Sequence, residues 1–563
     1  MDYDIGGAKL EKFTDIELRS QLKNLKDTSL NRLKHRVTEL PMFLYLVINT
    51  YFCYPIMTAW FEIINDHEFI SELKPGNRLQ IWNIPSRLFS ETEIGQFGSS
   101  ERFRPFYYFL KFFLISIIGE FPSGYYLFRI FIHSFCAYLV FKLCFNLEKS
   151  DNWLTTTINA CLSFLTGICV LSLSSWTEIT LRFGPSEIEL VFGICLTAYS
   201  AFNLIGFERL GSKRTRNNLF LILCLGTFIA SGSKENGIIS FILFIFIIYR
   251  ERHWIFKSKF NIFAIFITSA EILAVTLSNL LVLIRGTGFY AEQRSIPLIF
   301  EAIYLRAMDS NFAILIISTS ILFLLYRNSS SQRIFGHFVL AIFFDLIYIS
   351  EGVFYSGVGW AVRYNILTQI SMVLVPSLTW INLIAHFLRQ QHRARMGSAI
   401  ASLIFACGVV NYYSPVVNFF SMRKAAESRK EVTQSWKSEL NLLTNKISII
   451  SGTQIVIQEF NYGSDFERIY STIQFLRQRG ITNPVYLLVK ESASEDPLGQ
   501  QLLQALNSMS IDGNKKWDIE PLIKLNADIP TFCIVFGIDL SDQNLFLLDF
   551  PQSKCTLYSS LKS

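Results

Sequence analysis

The chain has 563 residues and a formal net charge of +6; 51% of it is hydrophobic, 15% aromatic and only 17% charged, with mean hydropathy +0.34. Soluble domains carry about 25% charged residues, so this balance excludes a wholly soluble protein, and nothing in it suggests a nucleic-acid partner. The 52 Phe residues suit lipid-facing helices.

Residues 1–40 are polar and basic, with eight Lys and Arg, and read as a cytoplasmic segment with no cleavable signal. Apolar runs long enough to span a bilayer follow at about 41–64, 123–146, 154–174, 187–206, 218–233, 236–250, 260–284, 310–326, 334–352, 364–388 and 397–420. The expected fold is therefore mainly α: a polytopic membrane protein of about eleven transmembrane helices. Alternate loops carry ERLGSKRTR, YRERHWIFKSK and RQQHRAR. By the positive-inside rule these lie in the cytoplasm, as does the N-terminus. An odd number of spans then puts the C-terminus outside.

The first outer loop, 65–122, is long. Its RFRPFYYFLKFFLISII has a proline suited to a first helical turn and is short for a span. We read it as an interfacial helix. After Phe420 the composition turns polar. Residues 421–447 read as an amphipathic helix; TQIVIQEF, NPVYLLVK, TFCIVFG and NLFLLDF read as strands, with helices at DFERIYSTIQFLRQRG, ending on Gly480, and at LGQQLLQALNSM. This predicts a small extracytoplasmic α/β domain over 421–563, after a transmembrane domain over 41–420. Eight cysteines fall in apolar runs, where they pack as small apolar residues. Cys533 and Cys555 lie in the polar region and are free to pair there.

Ionisable residues gather at the outer ends of the spans. The first span closes on FEIINDHEF, with Glu62, Asp66 and Glu68. The second outer loop reads TEITLRFGPSEIEL, with Glu178, Arg182 and Glu187. Lys234 and Glu235 interrupt the uncharged run from Leu219 to Ile248; they either neutralise one another or face a water-filled site. Later outer segments hold Glu351, Arg363 and Tyr364. Acids come from the first two outer loops and bases from the later ones. That polarity suits a phosphate held beside a catalytic carboxylate.

These pieces together resemble the GT-C superfamily of integral-membrane glycosyltransferases, which take sugars from polyprenyl phosphates, and most of all its bacterial members without an assigned substrate. The matching residues are NDHEF after the first span, RFRP leading a juxtamembrane helix, RFGPSE in the second loop, SKE and RY near later spans, and a C-terminal outer domain. The resemblance covers about residues 40–420. It implies an inverting glycosyltransferase of a bacterial inner membrane. The donor would be a polyprenyl-phosphate sugar, and the acceptor a lipid, glycan or protein at the outer face. Asp66 would be the catalytic base. Glu68 would tune it, and Glu187 would orient the acceptor or Arg182. Lys234 and Arg363, then Arg104, with Tyr364, would bind the donor phosphate, whose departing charge needs cations. The second loop offers TE and SE where metal-dependent relatives carry paired acids. No metal ligand is therefore assigned, and a divalent cation is left open. A flippase for polyprenyl-linked glycans and a non-catalytic scaffold on the same fold are the alternative readings.

Overall fold

The computed structural model describes residues 39–62, 79–97, 103–145, 153–206, 212–285, 296–329, 331–354, 362–390, 413–449, 454–458, 472–481, 485–488, 531–536 and 545–549, with Leu73, Gly408 and Asn483 besides. It is a mainly α polytopic membrane protein. Seven helices among the described residues are long and apolar enough to cross a membrane.

Helix α1 (Glu39–Thr58) is the first of these. It ends at Thr58, before the expected limit of 64. Pro55 tightens its last turn into a 3-10 helix, and Ala59 leaves in extended backbone (φ −72°, ψ 161°). Glu62 thus stands clear of the span.

Helix α2 (Pro105–Ile118) has Pro105 in its first turn, and Gly119 (φ 66°) closes it. At 14 residues it is about 21 Å long. Its N-cap Arg104 bonds Glu235, 3.0 Å away. At its other end the Tyr125 hydroxyl donates to the Gly119 carbonyl at 2.8 Å. Both anchors belong to the same end of the helical bundle, so α2 runs along that end and does not cross. This is the geometry of an interfacial helix.

Helices α3 (Pro122–Cys144), α4 (Trp153–Leu171), the short α5 (Ser175–Thr180) and α6 (Glu187–Ile205) follow. Then come α7 (Lys213–Ser233), α8 (Ser240–Ile255), α9 (Lys259–Arg285), α10 (Ile296–Ala307), α11 (Ser310–Ser329), α12 (Gln332–Phe354) and α13 (Ile366–Gln390). Of the expected spans, 218–233 begins earlier, at Lys213, and 236–250 is a 3-10 turn (Glu235–Ile239) leading into α8. Helix α10 was not expected; it packs on α12. Most of the expected span 397–420 lies outside the described residues.

Helices α6 and α7 share the most extensive contact in the bundle. Their backbones approach through small residues. A Cβ on Gly193 would lie 2.4 Å from the Ala230 nitrogen, and one on Gly226 would lie 2.7 Å from the Thr197 nitrogen. Small residues let membrane helices pack this closely. The antiparallel crossing sets the start of α6 against the end of α7, and so Glu187 against Lys234. Lys213, Arg214, Arg252, Lys257 and Lys259 are exposed at the opposite end of the bundle.

The long helix α14 (Pro415–Ile449) extends the expected 421–447 element in both directions. Arg423 donates to the Tyr51 carbonyl at 2.9 Å, and Gln434 to that of Thr58 at 3.1 Å. It therefore grows out alongside α1. All four expected strands form, as β1 (Gln454–Gln458), β2 (Val485–Leu488), β3 (Thr531–Phe536) and β4 (Leu545–Asp549), in the order β2-β1-β3-β4. β1 is parallel to β2 and β3, and β3 is antiparallel to β4. The helix at 472–478 ends on Gly480, whose φ of +77° suits a glycine C-cap. Phe475 from this helix packs on both Trp60 and Trp436. The expected helix LGQQLLQALNSM and Cys555 lie outside the described residues.

Candidate active site at the α6–α7 end of the bundle

Glu187 opens α6, and its carboxylate is buried with 3% of the residue exposed. The Lys234 ammonium, also 3% exposed, donates to Glu187 Oε1. Arg363 Nε lies 3.9 Å from the same oxygen. Tyr364 completes the group. Its ring faces Lys234 Nζ at 4.4 Å, and its hydroxyl accepts from Arg363 at 3.1 Å. The expected residues Glu187, Lys234, Arg363 and Tyr364 therefore meet, although they come from three separate helix ends.

Burial lowers the pKa of the Lys234 ammonium, and Glu187 opposes this by favouring its charged form. A buried ammonium in such a place keeps its charge only beside an anion. The Nε–H of Arg363 is a buried donor without a hydrogen-bond acceptor. Unpaired buried donors are costly, and this one is suited to an anionic oxygen.

Arg104 is brought to the edge of this cluster, where its guanidinium meets both oxygens of Glu235 at 3.0 and 3.1 Å. Lys234 and Glu235 therefore do not neutralise one another alone: each has a partner from a distant segment. Glu351, buried at the end of α12, accepts from Thr368 at 2.7 Å.

Arg182 is placed elsewhere. Its Nε lies 3.4 Å from Glu62, so its ion pair is with Glu62 and not with Glu187. Glu62 is buried and also accepts from Arg429 of α14 at 2.9 Å. One carboxylate thus ties the end of α1 to the segment between α5 and α6 and to α14. Asp66 and Glu68 lie outside the described residues.

Two site-forming residues were missed by the sequence reading. Arg129 in α3 donates to the carbonyls of Ile179, Phe183 and Pro185 at 2.6–3.1 Å. It shapes the backbone that delivers Glu187. Glu189 follows two residues later, its Oε1 lying 3.9 Å from Arg129. Charged residues inside stretches read as spans were the available signal. Among the described residues, no group of three or more His, Cys, Asp and Glu side chains is arranged to hold a metal.

No family model matches the chain, and no curated protein matches it. Among solved structures, the chain is similar to ArnT from Cupriavidus metallidurans in the apo state. The identity is 10% and the TM-score 0.45, over 93% of this chain and 94% of that one. It is also similar to the same protein bound to undecaprenyl phosphate, at 10% identity and TM-score 0.42, over 92% of this chain and 94% of that one.

Proposed function

We propose that the protein is an inverting glycosyltransferase. It takes a sugar from a polyprenyl-phosphate carrier and passes it to a lipid, glycan or protein at the outer face of a bacterial inner membrane. The observation that carries this reading is the acceptor-less Nε of Arg363, set beside Lys234 and Tyr364 at one end of a membrane bundle. Inversion at the sugar carbon breaks its bond to a phosphate oxygen, and the phosphate leaves as an anion. That oxygen needs fixed positive charge more than it needs an acid. Arg363 and Lys234 supply it, and Glu187 holds both cations in place. The lipid tail reaches this depth from between the helices. Asp66, four residues beyond the anchored Glu62, takes the acceptor proton, with Glu68 raising its affinity for that proton. The N-terminus is cytoplasmic, and the sheet domain stands outside, where it shapes access for the acceptor.

The test compares wild type with Asp66→Asn, each purified in detergent and offered a panel of polyprenyl-phosphate sugars with a cell-envelope extract as acceptor. Donor binding retained and polyprenyl-phosphate release lost in the variant is the expected result. Equal release by both removes Asp66 from the role of base. Absence of donor binding by wild type overturns the transferase reading.

A further inference from the structure

Helix α1 stops at Thr58, and residues 59–62 continue without regular structure. Backbone groups in such a stretch need partners from elsewhere. Helix α14 supplies them. Thr433, 1% exposed, accepts from the Trp60 backbone N–H at 3.1 Å, and Gln434 donates to the Thr58 carbonyl at 3.1 Å. One turn before Thr433, Arg429 donates to Glu62 Oε1 at 2.9 Å. The Trp60 ring adds to the grip, packing at 4.5 Å on Phe475 of the sheet domain.

The grip is passed on. The two oxygens of Glu62 face two cations: Oε1 meets Arg429, and Oε2 lies 3.4 Å from Arg182 Nε. A carboxylate is a rigid plane, so it fixes the spacing of the two guanidiniums. Beside it, Phe61 packs on Phe183 with ring centroids 5.7 Å apart. Phe61, Phe183, Trp436, Phe475 and Ile455 of β1 belong to one buried cluster. The apolar core of the sheet domain is therefore continuous with that of the segment leading to Glu187.

That segment borders both halves of the phosphate cluster. Glu187 follows Arg182 by five residues. Helix α5, just before Arg182, packs against α14 and also against the turn Val362–Asn365, which carries Arg363 and Tyr364. Apolar contact alone tolerates sliding, whereas paired, directional charges fix register. We propose that α14 belongs to the framework of the phosphate seat, and that Arg429 is a positioning residue. Through Glu62 it fixes residues 181–187, and with them Glu187 and its two cations. The phosphate role of that seat rests on the transferase reading; the coupling to α14 does not.

The test uses full-length protein in nanodiscs. It follows hydrogen–deuterium exchange of residues 181–187 without donor, then counts decaprenyl phosphate retained from the bilayer by native mass spectrometry. Arg429→Gln should speed exchange at 181–187 about tenfold and lower retention about tenfold. Glu62→Gln, which keeps the shape but loses the charge, should repeat the effect. Arg429→Lys, which keeps a charged donor for Glu62, should restore both readouts. Arg423→Gln removes another bond between α14 and α1, to the Tyr51 carbonyl, and should leave 181–187 at the wild-type rate. Unchanged exchange at 181–187 in Arg429→Gln and Glu62→Gln overturns the proposal. An equal rise in Arg423→Gln also overturns it, because it would mean general loosening of α14. If wild type retains no decaprenyl phosphate while the exchange pattern holds, the transferase reading falls and the coupling stands.

Discussion

Lys234 and Glu187, 47 residues apart in sequence, form an ion pair with almost no solvent contact. Breaking such a pair from one side leaves an uncompensated buried charge, at about 3–5 kcal/mol. Replacing both partners with apolar residues of similar volume is far cheaper. Lys234→Met alone should therefore lower the midpoint of thermal unfolding in detergent strongly, and Lys234→Met with Glu187→Leu should recover most of the loss. Additive losses in the double variant would show that the two side chains do not depend on each other.

Arg363→Lys keeps the charge but removes the planar fork and its Nε–H. Hydrogen bonds to charged groups are worth about 1.5–3 kcal/mol. Affinity for a polyprenyl-phosphate donor should fall about tenfold to a hundredfold, with the unfolding midpoint nearly unchanged. Titration calorimetry of the two proteins decides this, and equal affinities would remove Arg363 from the phosphate seat.

Gly226→Val places a branched side chain where even a Cβ would meet the Thr197 nitrogen at 2.7 Å and the Gly193 oxygen at 2.9 Å. Both are backbone atoms and cannot swing aside. We expect about 1–3 kcal/mol of destabilisation, together with weaker donor binding as Glu187 and Lys234 are forced apart. A Gly226→Val protein with wild-type stability and binding would contradict the close α6–α7 crossing.

Asp309 lies between α10 and α11, outside the spans. Burial raises its pKa, but hydrogen bonds from the Tyr348 hydroxyl and from Asn311, with the charge of Arg306, outweigh this and leave it lowered. A carboxyl with a depressed folded pKa contributes stability above its unfolded value, about 3.9, and loses it as pH falls through the folded value. The advantage of wild type over Asp309→Asn in thermal unfolding should therefore be constant above about pH 5 and shrink below about pH 4. An advantage independent of pH down to 3 would rule out this linkage.

Much of the site was legible because charge inside an apolar run is rare. Lys234 announced itself in this way, and so did Arg363 and Glu187 at span ends. Partner choice was less legible. Lys234 and Glu235 are neighbours, yet Lys234 has extended backbone (φ −159°, ψ 151°), and successive side chains of an extended chain point to opposite sides. One reaches Glu187 and the other Arg104. The Glu62–Arg429 contact joins residues 367 apart, which no local periodicity can reveal. Arg129 and Glu189 were absorbed into stretches read as plain spans, and α10 is too short for a span pattern to detect. The strands and the Gly480 cap were legible because their signals are local: alternation in the strands, and a residue that tolerates positive φ in the cap.

Helix α2 is fastened to crossing helices at both ends, through Arg104 with Glu235 and Gly119 with Tyr125. Its depth is therefore dictated by the protein and not by the surrounding lipid. Leaflet thickness becomes a physical variable for this molecule. Where the hydrocarbon is thicker than the bundle expects, acyl chains must dimple toward α2 or the bundle must tilt, each at an elastic cost. A membrane of mismatched thickness would load the Arg104–Glu235 anchor, so bilayer composition would act on the Lys234–Glu187 end of the bundle without any ligand entering it.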